Sequence, residues 1–432
     1  MKKHIFTSLL SLFVIVGFTS FINPHTVSAQ PVEWEEFDIP DYYNTIAYGG
    51  GVYVVVGEGI PMYSSNGKDW KPSETEIPAT LSSIAYGDNK FVAVGVDESW
   101  ENPAVYLSTD GGVTWVQPNQ PLPPKEIGYQ RAQLSRVAYI YDNKNSKGVF
   151  VAVGGNDPQG ISDPNLPYIV YSFDGNIWVS SATTPGVGSA KTLAVGYDDS
   201  ENVVFLSTLS TSFGSDFFQS NIIMSTDNGV NWNYPDNITG LDDFQGKSMS
   251  YLNGKFLLGG SIYDEDENAY IIYVMSSSDG LHWEQHRVGF TPLAFAGAFD
   301  FAYGNSSYLS LGGIPIYSYD GQQWEFFTPS FNKSTNSGVY PMQLIYAEDS
   351  FVLLGDSENG ESSTIAFPKI SETVSSLSKP SSIFGTRFCS AGVTTFCRPQ
   401  NGFVNNNPLV NIYTELLGLY QQLLSAMQGQ NS

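Results

Sequence analysis

Six short stretches of this chain share one pattern, a serine, an aspartate or asparagine, a glycine and, three residues on, a tryptophan. They are SSNGKDW ending at Trp70, STDGGVTW at Trp115, SFDGNIW at Trp178, STDNGVNW at Trp232, SSDGLHW at Trp283 and SYDGQQW at Trp324. A repeated supersecondary unit decides the whole fold, so this pattern constrains the chain more than its composition does. The side chains of Asn66, Asp110, Asp174, Asp227, Asp279 and Asp320 can accept backbone N–H bonds inside their own turns. The glycine supplies a positive φ, and the tryptophan ring is large enough to fill the space between two sheets. Six copies of one turn are structural punctuation, because an enzyme has no use for six copies of one active site.

The rest of the unit is regular. An alternating segment comes first (TIAYG 45–49, SIAYG 83–87, RVAYI 136–140, DFAYG 300–304, QLIYA 343–347). An apolar run follows (VYVVVG 52–57, KFVAVG 90–95, VFVAVGG 149–155, KFLLGG 255–260, SFVLLG 350–355). A third strand then runs into the turn, and the tryptophan opens a fourth. Four short strands per unit describe a blade of a β-propeller. A seventh tryptophan outside the turns, Trp34 in VEWEEFDIP, resembles the start of a fourth strand without its blade, whereas 343–368 has three strands and no tryptophan turn. The two halves together predict an all-β, seven-bladed propeller closed by its N-terminal strand; six blades result if 343–368 stays outside the ring.

The turn pattern resembles the Asp-box, or BNR, repeat of sialidases, sortilin-type receptors, two-propeller xyloglucanases and photosystem assembly factors. The resemblance spans residues 33 to about 368 and implies the propeller fold, while activity differs among those families. Sialidase chemistry would require three converging arginines, an Arg-Ile-Pro motif, a Tyr–Glu pair and an aspartate. Here the Arg-Ile-Pro motif is absent, and the propeller holds only Arg131, Arg136 and Arg287, of which Arg136 alone falls in an inner-strand segment.

Residues 1–29 read as a secretory signal peptide: two lysines, an apolar stretch from Ile5 to Phe18, then Val27-Ser28-Ala29 before the polar chain. The apolar run is short for a membrane anchor. This predicts a secreted or cell-surface protein, with the propeller over 30–370, a Ser-rich linker over 371–383 and a tail over 384–432. In the tail, Cys389 and Cys397 suit a small disulfide-closed loop in an oxidising compartment, against free thiols or a metal pair. Residues 408–428 read as an amphipathic helix with Asn407 as cap, which docks on the propeller, self-associates or attaches to a surface.

With 43 acidic residues against 19 basic ones, the chain is a poor partner for nucleic acid or anionic lipid. No cofactor or metal is expected. Asp264, Glu265, Asp266 and Glu267 read as a solvated acidic run ahead of a calcium site. His282 and His286 flank Trp283 and suit surface roles, and the propeller has no cysteine, which removes thiol chemistry there. Carboxylates are the one plentiful catalytic group, so an enzyme reading would be a glycoside hydrolase. The stronger expectation is a recognition module for an extracellular glycan or protein. Its candidate face is the loop containing Asp97, Glu98, Trp100 and Glu101, together with Phe217, Phe218 and Tyr263; in the competing reading, Trp100 lies against its own blade. A third reading is a scaffold for a surface complex.

Overall fold

The computed structural model describes residues 32–158, 164–210, 221–241, 244–264, 269–291, 300–311, 315–326, 329–331, 340–356 and 362–368. The expected signal peptide, Phe217, Phe218, residues 265–267, the expected linker, the cysteine pair and the expected tail helix lie outside the described residues. Among the described residues there is no helix, and the strands form seven sheets, the blades of a seven-bladed β-propeller.

Each blade begins on an inner strand and runs outward. The inner strands are Tyr43–Gly49, Ala79–Gly87, Tyr129–Asp142, Ala194–Tyr197, Gln245–Leu252, Phe301–Gly304 and Tyr340–Ala347. The second strands are the apolar runs, Val52–Gly57 and Lys90–Asp97 among them, and they are buried almost throughout. A strand covered on both faces by neighbouring blades must be apolar at successive positions, which is why these runs do not alternate.

The tryptophans explain how the blades stack. Trp115 of the second blade packs with Val54 and Val56 of the first, and Trp178 of the third packs with Val92 and Val94 of the second. Every turn tryptophan donates its indole N–H to the carbonyl of the turn glycine, from 2.8 Å at Gly175 to 3.2 Å at Gly321. That bond satisfies the ring's single polar atom, so the rest of the indole is free to be buried. At about 25 cal/mol per Å², a ring burying about 150–250 Å² represents roughly 4–6 kcal/mol of gross burial.

Closure comes from the N terminus. Val32–Pro40 pairs antiparallel with Ser362–Pro368, from Trp34 opposite Pro368 to Pro40 opposite Ser362, and so forms the fourth strand of the seventh blade, with Pro329–Phe331 parallel on its other side. Trp34 is 1% exposed and packs with Ala302 and Leu311 of the sixth blade and Leu353 of the seventh. It takes the place that the six turn tryptophans take in their own blades. Joining first strand to last leaves no open end to the ring of blades.

Candidate functional site

Seven inner strands converging on one axis place one side chain per blade at each level of the channel. At one level these are Thr45, Ser83, Arg136, Thr192, Ser248, Asp300 and Gln343, all lining a cavity of about 220 Å³. Five of the seven are small or neutral polar groups; Arg136 and Asp300 carry the charge.

The level is built by bonds between neighbouring blades. The N–H of Ile46 donates to Gln343 Oε1 at 2.6 Å, that of Val137 to Ser83 Oγ at 3.2 Å, and that of Leu344 to Asp300 Oδ2 at 2.9 Å. Local ladder irregularities sit at this level, between Tyr43 and Thr45, Leu81 and Ser83, Gly246 and Ser248, and Pro341 and Gln343. A bulge frees one residue from ladder pairing and re-aims its neighbours. Here it turns a ring of polar side chains toward the axis.

Asp300 is a carboxylate in a confined place. Burial pushes its pKa up to about 6, against the lowering influence of the Leu344 amide and of Arg136. Arg136 feels the same dehydration, which draws its pKa down, while Asp300 across the channel favours its charge. Its Nη1 donates to the Ser135 carbonyl at 2.8 Å. Water in the channel reaches both side chains, so dehydration is partial and the guanidinium stays protonated. One blade on, Lys191 immediately precedes the ring residue Thr192. Its pKa is lowered by burial and then by repulsion from Arg136, and Asp157 opposes this. Neither Arg136 nor Lys191 belongs to an ion pair among the described residues. Arg136 and Lys191 repel each other from adjacent blades; Asp300 and Asp157 offset part of that charge without closing an ion pair, which leaves both cations able to receive an anion.

The loop singled out in the sequence lies elsewhere, between the second and third strands of the second blade, and none of its residues lines the channel cavity. Asp97 is committed to its own turn: it accepts from Ser99 Oγ at 2.7 Å, from the amides of Glu101 and Asn102 at 3.2 Å each, and from Asn102 Nδ2 at 2.9 Å. These bonds hold its pKa at about 2 despite partial burial. Trp100 is 52% exposed with a φ of 59°, so the turn presents the ring outward. Glu98 and Glu101 border the same loop. Tyr263 is exposed beside Tyr270, ring centroids 5.1 Å apart, on the fifth blade and thus three blades from Trp100. His282 Nδ1 bonds Asp279 at 2.7 Å, and His286 Nε2 meets Ser276 Oγ at 2.7 Å, both in the outer part of the fifth blade. Among the described residues no cluster of His, Cys, Asp and Glu could hold a metal ion.

No protein-family model matches this chain, and no curated protein matches it. Solved propeller structures do. YCF48 bound to a D1 peptide is 16% identical, with 79% of this chain and 96% of that one covered and a TM-score of 0.49. An α-L-arabinanase of Penicillium chrysogenum complexed with arabinobiose is 13% identical, with 76% and 98% covered and a TM-score of 0.46. A Trypanosoma rangeli sialidase in complex with the inhibitor DANA is 15% identical, with 79% and 60% covered and a TM-score of 0.44. At such distances a shared architecture carries no activity with it.

The sequence places Arg136 on an inner strand but assigns it no role, and Lys191 and Asp300 went unremarked, although a signal existed. In the repeats beginning at Thr45, Ser83, Arg136, Asp300 and Gln343, the first column alone mixes an arginine and an aspartate with neutral polar residues. Lys191 was hidden because the fourth inner strand, Ala194–Tyr197, lacks the repeat's usual Ala-Tyr pair.

Proposed function

We propose that this chain is an exported recognition module of the Asp-box kind, and that it takes a carboxylate-bearing part of an extracellular ligand into the channel mouth beside Arg136 and Lys191. The observation that carries this reading is the two cations on adjacent blades of an acidic propeller, neither in an ion pair among the described residues. A guanidinium offers a planar fork of donors to a carboxylate, and Lys191 adds a point charge at its side. The hydroxyl of Thr45, and that of Ser83, whose oxygen accepts from Val137 and leaves its O–H to donate, supply further hydrogen-bonding capacity around that anion.

A glycoside hydrolase is the second reading. Asp300, raised to about 6, has the protonation behaviour of a general acid. Such enzymes use two carboxyl groups a set distance apart, and Asp300 is the one carboxylate lining the cavity among the described residues. This favours binding over catalysis.

The test is calorimetric titration of the protein with uronic-acid oligosaccharides, neutral oligosaccharides and acidic peptides, with chromatography of each mixture for released sugar. Binding of acidic ligands that Arg136→Gln abolishes supports the module and identifies glycan or peptide as the source. Released sugar that disappears in Asp300→Asn replaces it with the hydrolase. Binding that Arg136→Gln leaves intact removes the channel from the function.

A further inference from the structure

The second blade lacks its fourth strand, and one residue accounts for the loss. In the first blade the fourth strand pairs Lys71 with Tyr63, and two residues on the Ser73 N–H donates to the Pro61 carbonyl at 2.7 Å. In the third blade Val179 pairs with Tyr171, and the Ser181 N–H donates to the Ile169 carbonyl at 3.0 Å. In the second blade Val116 bridges Leu107 in the same way, with N···O distances of 2.8 and 2.9 Å. Two residues on stands Pro118, which has no N–H to give to Val105. The ladder stops there and the chain departs as QPNQPLPPK (117–125), which returns to the body of the protein where Pro123 accepts a 2.5 Å bond from Tyr168 Oη. Pro235 stands against Ile222 in the corresponding place of the fourth blade, where Asn233 bridges Met224.

Between the edge strand Pro103–Ser108 and the departing segment lies a groove of about 580 Å³. Leu107 directs its amide and carbonyl outward to Val116, so by the two-residue period of a strand Val105 directs its own outward as well. Among the described residues neither group of Val105 has a hydrogen-bond partner, and the residue is 3% exposed. A buried backbone pair left without partners is costly, and the occupant that satisfies both groups at once is another strand. The groove also carries a charge preference. Glu98 lines it with no ion pair among the described residues, while the cation beside it, Lys125, is spent on the carbonyls of Glu101 and Gln130. Leu122, Pro121 and Tyr106 form its apolar wall.

We propose that the unpaired edge at Val105 is a docking site for an extended segment of a partner polypeptide, which completes the second blade in place of its missing fourth strand and sets a basic side chain against Glu98. Main-chain bonding gives such strand addition its affinity, and the flanking pockets give it selectivity. This site is separate from the channel and does not depend on the channel's ligand.

Hydrogen exchange of residues 104–107 in the intact chain tests it, with three synthetic peptides as probes: acetyl-Lys-Val-Thr-Val-Thr-Lys-amide, its glutamate-flanked counterpart, and the lysine peptide N-methylated on alternate residues. The expected result is exchange slowed about tenfold by the lysine peptide alone. Equal slowing by the N-methylated peptide, or none by any peptide, overturns strand addition. Exchange already slow without peptide means that the chain covers its own edge, and overturns the assignment to a partner. Val105→Pro removes the outward N–H at an edge position where proline is tolerated. If that variant keeps its unfolding midpoint and still binds the lysine peptide, the proposal is also overturned. Arg136→Gln leaves all of these results unchanged, so the fate of the channel reading is decided separately.

Discussion

The Leu344 amide in the last blade hydrogen-bonds the Asp300 carboxylate in the blade before it, at 2.9 Å. The same carboxylate lines the channel opposite Arg136, so one side chain joins two blades and also sets the charge of the site. Asp300→Asn keeps an acceptor for the amide and is expected to fold with a near-normal midpoint. Asp300→Ala strands the buried Leu344 N–H and is expected to lose about 1–3 kcal/mol. Denaturant titration of the two variants checks this, and equal stability would show that the bond contributes nothing.

Asp300 also makes the site depend on pH. Its folded pKa is raised from 3.8 to about 6. A raised carboxyl pKa means that the folded state holds the proton more tightly, so this group's stabilising contribution is full below the unfolded value and is lost as pH rises through about 6. Protonating Asp300 also removes the negative charge facing Arg136, so affinity for an anionic ligand rises as pH falls through the same window. Titrations at several pH values check this, and Asp300→Asn should flatten the profile.

Acid stability at lower pH rests on different carboxylates. The pKa values of Asp97 and Asp279 are lowered from 3.8 to about 2 by hydrogen bonds that outweigh their burial. Such groups stabilise the fold above the unfolded value, and that contribution disappears as pH falls through about 2. Asp279→Ala removes the acceptor of the Leu281 and His282 amides, at 2.8 and 2.9 Å, and should cost about 1–2 kcal/mol at neutral pH. The difference from the parent should shrink at the lowest pH, where Asp279 is protonated in both states. Unfolding followed at neutral and strongly acidic pH would show whether it does.

Trp34 links ring closure to core packing, since the strand that bears it completes the seventh blade. Trp34→Ala is expected to cost about 3–5 kcal/mol, comparable with Trp232→Ala in a turn. If Trp34→Ala cost much less, closure would rest on the backbone ladder alone. Calorimetric melting of both variants distinguishes these outcomes.

The turns were legible because their chemistry is local. Ser225, Asp227, Gly229 and Trp232 meet within eight residues, and the same four roles recur at Ser277, Asp279, Gly280 and Trp283. The seven-blade count was legible too, because Trp34 without a blade and 343–368 without a tryptophan are complementary deficits in one repeat. The channel site was not legible. Arg136, Lys191 and Asp300 are separated by 55 residues at the nearest step and 109 at the next, from 136 to 191 to 300. Their meeting depends on which inner-strand positions the bulges turn toward the axis.

The sequence alone therefore determined the repeating unit, its turn chemistry and the all-β architecture, since each follows from contacts made a few residues apart. Only the tertiary structure decided which charges face one another across the channel. It alone decided that Pro118 withholds a bond from Val105, because both facts depend on register between strands far apart in the chain.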